Sequence, residues 1–146
     1  MRLVALVQTK TLLYGAWLVS LSAVMGSLYF SEILRLPPCV LCWYQRIFMY
    51  PLVFLIPTGL VLKDKNLAWY VLPLSLLGLA VAIFHNLLYY GLIPEAVGPC
   101  TAGISCTVRQ IEWFGFVSIP LLSLLAFAGI TLAMILVITK QRKDMA

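Results

Sequence analysis

The chain has 146 residues, of which 63% are hydrophobic and only 10% charged, with a formal net charge of +5 and a mean hydropathy of +1.03. A soluble domain of this length cannot hide so much apolar surface, so the interior of a bilayer must act as solvent for most of its side chains. A soluble globular domain is thereby excluded. The absence of any basic patch interleaved with aromatics argues against nucleic-acid binding.

Crossing a bilayer takes about 20 apolar residues per helix. Four stretches meet that length, near residues 11–30, 43–62, 67–89 and 116–138. They predict an all-α membrane protein: a four-helix transmembrane bundle forming a single integral domain over residues 1–146. The first stretch is longer than the apolar core of a secretion signal, and no small-x-small cleavage site follows it, so it is read as a helix. Residues 31–42 connect it to the second span. There Pro37 and Pro38 end any helix and force extended backbone into Cys39, with Cys42 falling near the first turn of the next helix. Pro51, Pro57 and Pro73 lie inside spans and should bend them. The small-residue pairs Ser22/Gly26, Gly78/Ala82 and Gly129/Ala133 are spaced for close helix approach. His85 sits towards the end of the third span. A polar side chain at membrane depth is a functional candidate by default, and a packing histidine bonded to a carbonyl is the plainer alternative. The loop over residues 90–115 is rich in breakers (Pro94, Gly98, Pro99, Gly103) and carries Cys100 and Cys106.

Basic residues set the orientation. Arg2, Lys10, Lys63, Lys65, Lys140, Arg142 and Lys143 fall on the side of the termini, against Arg35, Arg46 and Arg109 on the other. Both termini are therefore expected in the cytoplasm, with all four cysteines outside.

An outward-facing C-V-L-C at a helix start, with a second cysteine pair on the same face, points to a two-electron thiol relay. A helix N-terminus and Arg46, one turn on, both favour a thiolate at Cys42. Other readings compete. A structural disulfide across two residues closes a loop too short to constrain the unfolded chain much. Zinc held by all four cysteines would need an unusual spacing, so no metal site is expected. Haem attachment needs a histidine where Trp43 stands. Cys100/Cys106 taken alone reads more readily as a staple. There is no dinucleotide fingerprint, iron–sulfur run or haem pair in the chain, so the relay requires a diffusible electron sink. In a membrane the natural candidate is a lipid-soluble quinone.

The run Leu36-Pro37-Pro38-Cys39-Val40-Leu41-Cys42-Trp43-Tyr44-Gln45-Arg46 resembles the signature of the DsbB family of quinone-dependent, disulfide-generating membrane proteins. Gly26-Ser27-Leu28-Tyr29-Phe30-Ser31-Glu32 and Trp113-Phe114-Gly115-Phe116-Val117-Ser118-Ile119-Pro120 resemble its Gram-positive, BdbC-like branch. The resemblance implies a protein of the bacterial cell membrane that reoxidises an extracytoplasmic, DsbA/BdbD-like thioredoxin-fold thiol oxidase and passes electrons to a menaquinone or ubiquinone. It implies catalytic roles for Cys39, Cys42, Cys100 and Cys106. Cys42 and Arg46 would face the quinone, with His85 a further member of that site, and Cys100 would meet the partner first. Gln45 stands where the Gram-negative archetype has an acidic residue. Two alternatives accompany this reading. One is a vitamin K epoxide reductase-like quinone/thiol enzyme, in which the C-x-x-C follows the loop cysteines; the other is a non-catalytic membrane protein with two structural disulfides.

Overall fold

The computed structural model describes residues 2–101, 105–107, 112–113 and 117–145. Arg109, Gly103 and residues 114–116 of the aromatic run lie outside the described residues. Four long helices dominate: α1 (Arg2–Leu28), α2 (Val40–Val61), α3 (Leu67–Tyr89) and α4 (Ile119–Met145). Each contains a segment long and apolar enough to cross a membrane. The protein is a helical bundle with four candidate membrane spans among the described residues. Outward-facing Phe54, Val61, Leu125 and Leu132 are more than half exposed in the isolated chain, as lipid-facing side chains should be. In the central core, Leu52 and Ile56 of α2 meet Ala68 and Val71 of α3 and Phe127, Ile130 and Met134 of α4, with Leu13 and Ala16 of α1 closing the side.

The spans differ from the sequence expectation at their ends, for local reasons. α2 begins at Val40, three residues earlier than expected, because the extended residue Cys39 (φ −70°, ψ 169°) is its N-cap. The chain after α1 continues through a π-helical turn, Tyr29–Ile33, in which Leu34 N–H bonds Tyr29 C=O. It ends where Arg35 adopts a left-handed φ of 51° ahead of the two prolines. α4 starts at Ile119, where Ser118 Oγ accepts the Leu121 N–H at 3.4 Å. Pro120 occupies the first turn, where no N–H is needed.

At the other end of α2, Asp64 N–H reaches Gly59 C=O at 2.9 Å and Lys63 N–H reaches Leu60 C=O at 3.3 Å. This is a Schellman stop with Lys63 (φ 54°) in the left-handed position that usually takes glycine. α3 ends the same way at Gly91 (φ 72°), with Leu92 N–H on Leu87 C=O.

Two polar contacts between helices reach backbone carbonyls. Pro57 cannot donate to Val53 C=O, and the indole Nε1 of Trp17 on α1 donates to that carbonyl instead, at 3.1 Å. Asn86 Nδ2 bridges α3 to α4, donating to Ala82 C=O and Pro120 C=O at 2.8 Å each. Of the three small-residue pairs, only Gly78/Ala82 makes a close approach: a Cβ on Gly78 would fall inside the Phe127 ring. Gly26 and Gly129 face open space. Ser22 and Gly26 instead border a cavity between α1, α2 and α4.

The basic end is tied together. Arg142 stacks over the Trp69 ring at 5.4 Å, Gln141 Nε2 donates to Lys65 C=O at 3.1 Å, and Lys140 Nζ donates to Gln8 Oε1. Two two-residue strands, β1 (Glu112–Trp113) and β2 (Val117–Ser118), pair antiparallel in the loop before α4.

Candidate redox site

The opposite end of the bundle holds both cysteine pairs. Extended backbone at Cys39 aims its Sγ back at the first turn of α2, where it accepts the Cys42 N–H at 3.3 Å. The two sulfurs lie 2.8 Å apart, unbonded. From α3, His85 brings Nε2 to 3.7 Å from Cys39 Sγ. Gln45 Nε2 sits 3.3 Å from His85 Nδ1. With the amide donating to Nδ1, the ring proton lies on Nε2 and faces the sulfur.

These partners decide where negative charge rests. The Cys39 thiol is lowered from 9.0 to about 4, chiefly because the Cys42 thiol donates to it. Burial opposes the shift, while the His85 N–H and field and the Cys42 backbone N–H add to it. The sequence expectation put the thiolate at Cys42. The geometry favours Cys39, chiefly because the Cys42 thiol donates to it, with the His85 ring and the Cys42 backbone N–H adding to that.

Arg46 lies in the same cavity wall as Cys42 and is held from α1. Its Nε donates to Ser27 Oγ at 2.8 Å and its Nη2 to Ser27 C=O at 2.9 Å, and its guanidinium lies over the Trp43 ring at 5.3 Å. The charge is thus anchored to α1 while remaining in the cavity wall. That cavity, of about 590 Å³, is lined mostly by apolar side chains, with Cys42, Gln45, Arg46 and Ser27 among its few polar groups. Its size and lining suit a largely apolar small molecule with one polar end.

Cys100 and Cys106 are disulfide-bonded, with Cα atoms 5.7 Å apart. Both residues are buried, in one apolar cluster with Cys39, Leu41 and Leu88. Cys42 is at the edge of that cluster and in the cavity wall at once. All six residues singled out in the sequence therefore gather at one end of the bundle. Sequence reasoning missed the supporting groups Ser27 and Asn86 and gave Gln45 no role. Ser27 lies in the run quoted for the family resemblance, and its distance from Arg46 in sequence hid the contact. Gln45 is one residue before Arg46, on the face that α3 covers.

A membrane bundle with a C-x-x-C at a helix start, a second cysteine pair packed against it and an adjoining apolar cavity defines a class: membrane thiol–disulfide oxidoreductases. The chain belongs to the DsbB family; a family model described as "Disulfide bond formation protein DsbB" matches residues 9–137. It is 44% identical over 124 residues to "Disulfide bond formation protein C" of Bacillus subtilis (strain 168), covering 85% of this chain and 90% of that protein. A "Probable disulfide formation protein C" of Halalkalibacterium halodurans is 41% identical over 134 residues, covering 92% and 98%. A "Probable disulfide formation protein" of Metapseudomonas resinovorans is 42% identical over 135 residues, covering 92% of each. No solved structure matches the chain. The protein is a membrane disulfide oxidoreductase, which sets aside the epoxide-reductase-like and non-catalytic alternatives.

Proposed function

We propose that the protein regenerates an extracytoplasmic thioredoxin-fold thiol oxidase and discharges the electrons into a membrane quinone, with Cys39, Cys42, Cys100 and Cys106 as the relay. One observation carries the proposal: Cys39 shares a cluster with Cys100 and Cys106, while Cys42, three residues on, lines the apolar cavity. The partner's dithiol would reduce Cys100–Cys106 through a mixed disulfide and leave as a disulfide. The loop dithiol would then reduce Cys39–Cys42, with Cys39 buried in the same cluster as the loop pair. A quinone supplies the sink by taking two electrons and two protons, which restores the Cys39–Cys42 disulfide. Cys42 would face its ring and Arg46 would hold a reduced oxygen. His85 would orient Cys39 and stabilise its thiolate from α3. The DsbA–DsbB–quinone system is known to keep the bacterial periplasm oxidising in this way.

The same reading places both termini in the cytoplasm and the whole chain in one membrane domain, supported by the seven-to-three division of basic residues. The test uses purified full-length protein, a thioredoxin-like dithiol protein and a soluble quinone analogue. Quinone reduction is expected, and Cys42→Ser should abolish it; undiminished turnover in that variant refutes the relay. Cys106→Ser should accumulate a reductant-sensitive adduct between Cys100 and the partner. An adduct formed only in Cys100→Ser would swap the two loop roles.

A further inference from the structure

We propose that the reduced Cys39–Cys42 pair and His85 form a binding site for a soft divalent cation of the zinc or cadmium kind, which holds the enzyme off while bound. The sequence offered only a C-x2-C, half of a familiar zinc pattern, with no second half at a usual spacing. The fold supplies the missing ligand from another helix, 46 residues from Cys39. Cys39 Sγ, Cys42 Sγ and a His85 ring nitrogen all lie within 4.8 Å of one another.

The spacing nearly fits a tetrahedral ion. With metal–sulfur bonds of about 2.3 Å and metal–nitrogen bonds of about 2.0 Å, ligand atoms stand about 3.5–3.8 Å apart. Cys39 Sγ and His85 Nε2 are already 3.7 Å apart. The sulfurs, at 2.8 Å, would have to part by about 1 Å, a change that rotation of the half-buried Cys42 side chain can make. Two thiolates and an imidazole, with no carboxylate, select soft ions over magnesium or calcium. For Nε2 to ligate, the ring proton must move to Nδ1, and the Gln45 side chain, 3.3 Å from Nδ1, can turn its amide oxygen to accept it, which is the second-sphere contact that ligating histidines make. Three protein ligands leave a fourth position to an outside donor, the pattern of an exchangeable site and not of a closed structural one.

No electron moves on capture. With Cys39 already a thiolate, the ion displaces the Cys42 thiol proton to solvent while the His85 ring proton passes from Nε2 to Nδ1, and both sulfurs and Nε2 become metal ligands. A disulfide offers no thiolate, so only the reduced pair can bind, and a pair holding metal cannot close its S–S bond. The cation thereby stalls electron discharge until it is removed. Binding at this site needs neither the acceptor nor the partner, whereas its effect on turnover rests on the relay proposed above.

The test titrates full-length protein in detergent, carrying Cys100→Ser and Cys106→Ser so that only one thiol pair remains, with Cd²⁺ as the probe. Reduced protein should show an ultraviolet thiolate-to-cadmium charge-transfer band saturating at one ion per chain, and oxidised protein none. His85→Ala should weaken binding at least about tenfold, and Gln45→Ala by about 10- to 100-fold, the usual range for second-sphere losses. X-ray absorption on the protein with His85 in place should show two sulfurs and one imidazole nitrogen, a readout that survives even if His85→Ala does not fold. Loss of the band in the Cys100→Ser/Cys106→Ser protein would assign the metal to the loop and overturn the site. A cadmium shell of sulfur with no nitrogen would overturn it equally.

Discussion

Charge at single residues decides which sulfur reacts and with what. Reduced Cys39 has a folded value of about 4 against 9.0 for a free thiol, so its charged form is the one the fold favours. The sign follows: stabilisation from this group is complete above pH 9, declines as pH falls and is gone below about 4. In chelator-containing buffer, iodoacetamide should therefore alkylate Cys39 at a nearly constant rate from about pH 8 to about pH 5 and slow only near pH 4. Mass spectrometry of the labelled peptide reads this, and a rate climbing tenfold per pH unit up to pH 9 would mark an ordinary thiol. Arg46 works by position. Because Ser27 holds its guanidinium in the cavity wall, Arg46→Ala should raise KM for a quinone analogue about tenfold or more, with less effect on exchange with the partner. Ser27→Ala removes one of the anchoring bonds and should move KM in the same direction, by a smaller factor. If both variants leave KM untouched, Arg46 is only a rim charge.

Helix-scale behaviour turns on satisfying backbone groups where no water reaches. Trp17 Nε1 donates to the carbonyl that Pro57 leaves free on α2. Trp17→Phe should then cost about 1–3 kcal/mol, the usual penalty for orphaning a buried acceptor. In a Pro57→Ala background the restored N–H can take Val53 C=O, so the same Trp17→Phe change should cost markedly less. A double-mutant cycle in detergent checks this, and strictly additive losses would show that Trp17 contributes packing alone. Much at this scale was legible in the sequence. The four apolar runs located the helices, and α3 was read end to end at 67–89, because lipid leaves a chain few options besides helix. Helix starts were less legible. At α2 and α4 they depend on whether Cys39 or Ser118 turns its side chain onto the backbone, a conformational choice that hydropathy does not encode. Which small pair brings two helices together was also hidden, since only the Phe127 ring over Gly78 distinguishes that pair from the other two.

At the scale of the molecule, the two ends of the bundle divide the labour, with most of the basic residues at one and sulfur chemistry at the other. The grouping of the four cysteines on one side was readable from the loop order. The side-by-side burial of the two pairs was not, because it depends on Leu41 and Leu88, which look in sequence like any lipid-facing leucines. That burial has a kinetic consequence. Cys100 and Cys106 are only 4% and 3% exposed, so an incoming thiolate cannot line up behind their S–S bond until the segment lifts away from α2. Oxidation of the partner should rise with partner concentration and then reach a ceiling set by that lifting, independent of how nucleophilic the partner is. Stopped-flow traces with a series of dithiol proteins of differing thiol pKa would converge on one limiting rate. Leu41→Ala, which loosens the contact beneath the loop, should raise that limit several-fold, and the enzyme's top speed would then be set by a hydrophobic contact and not by sulfur chemistry.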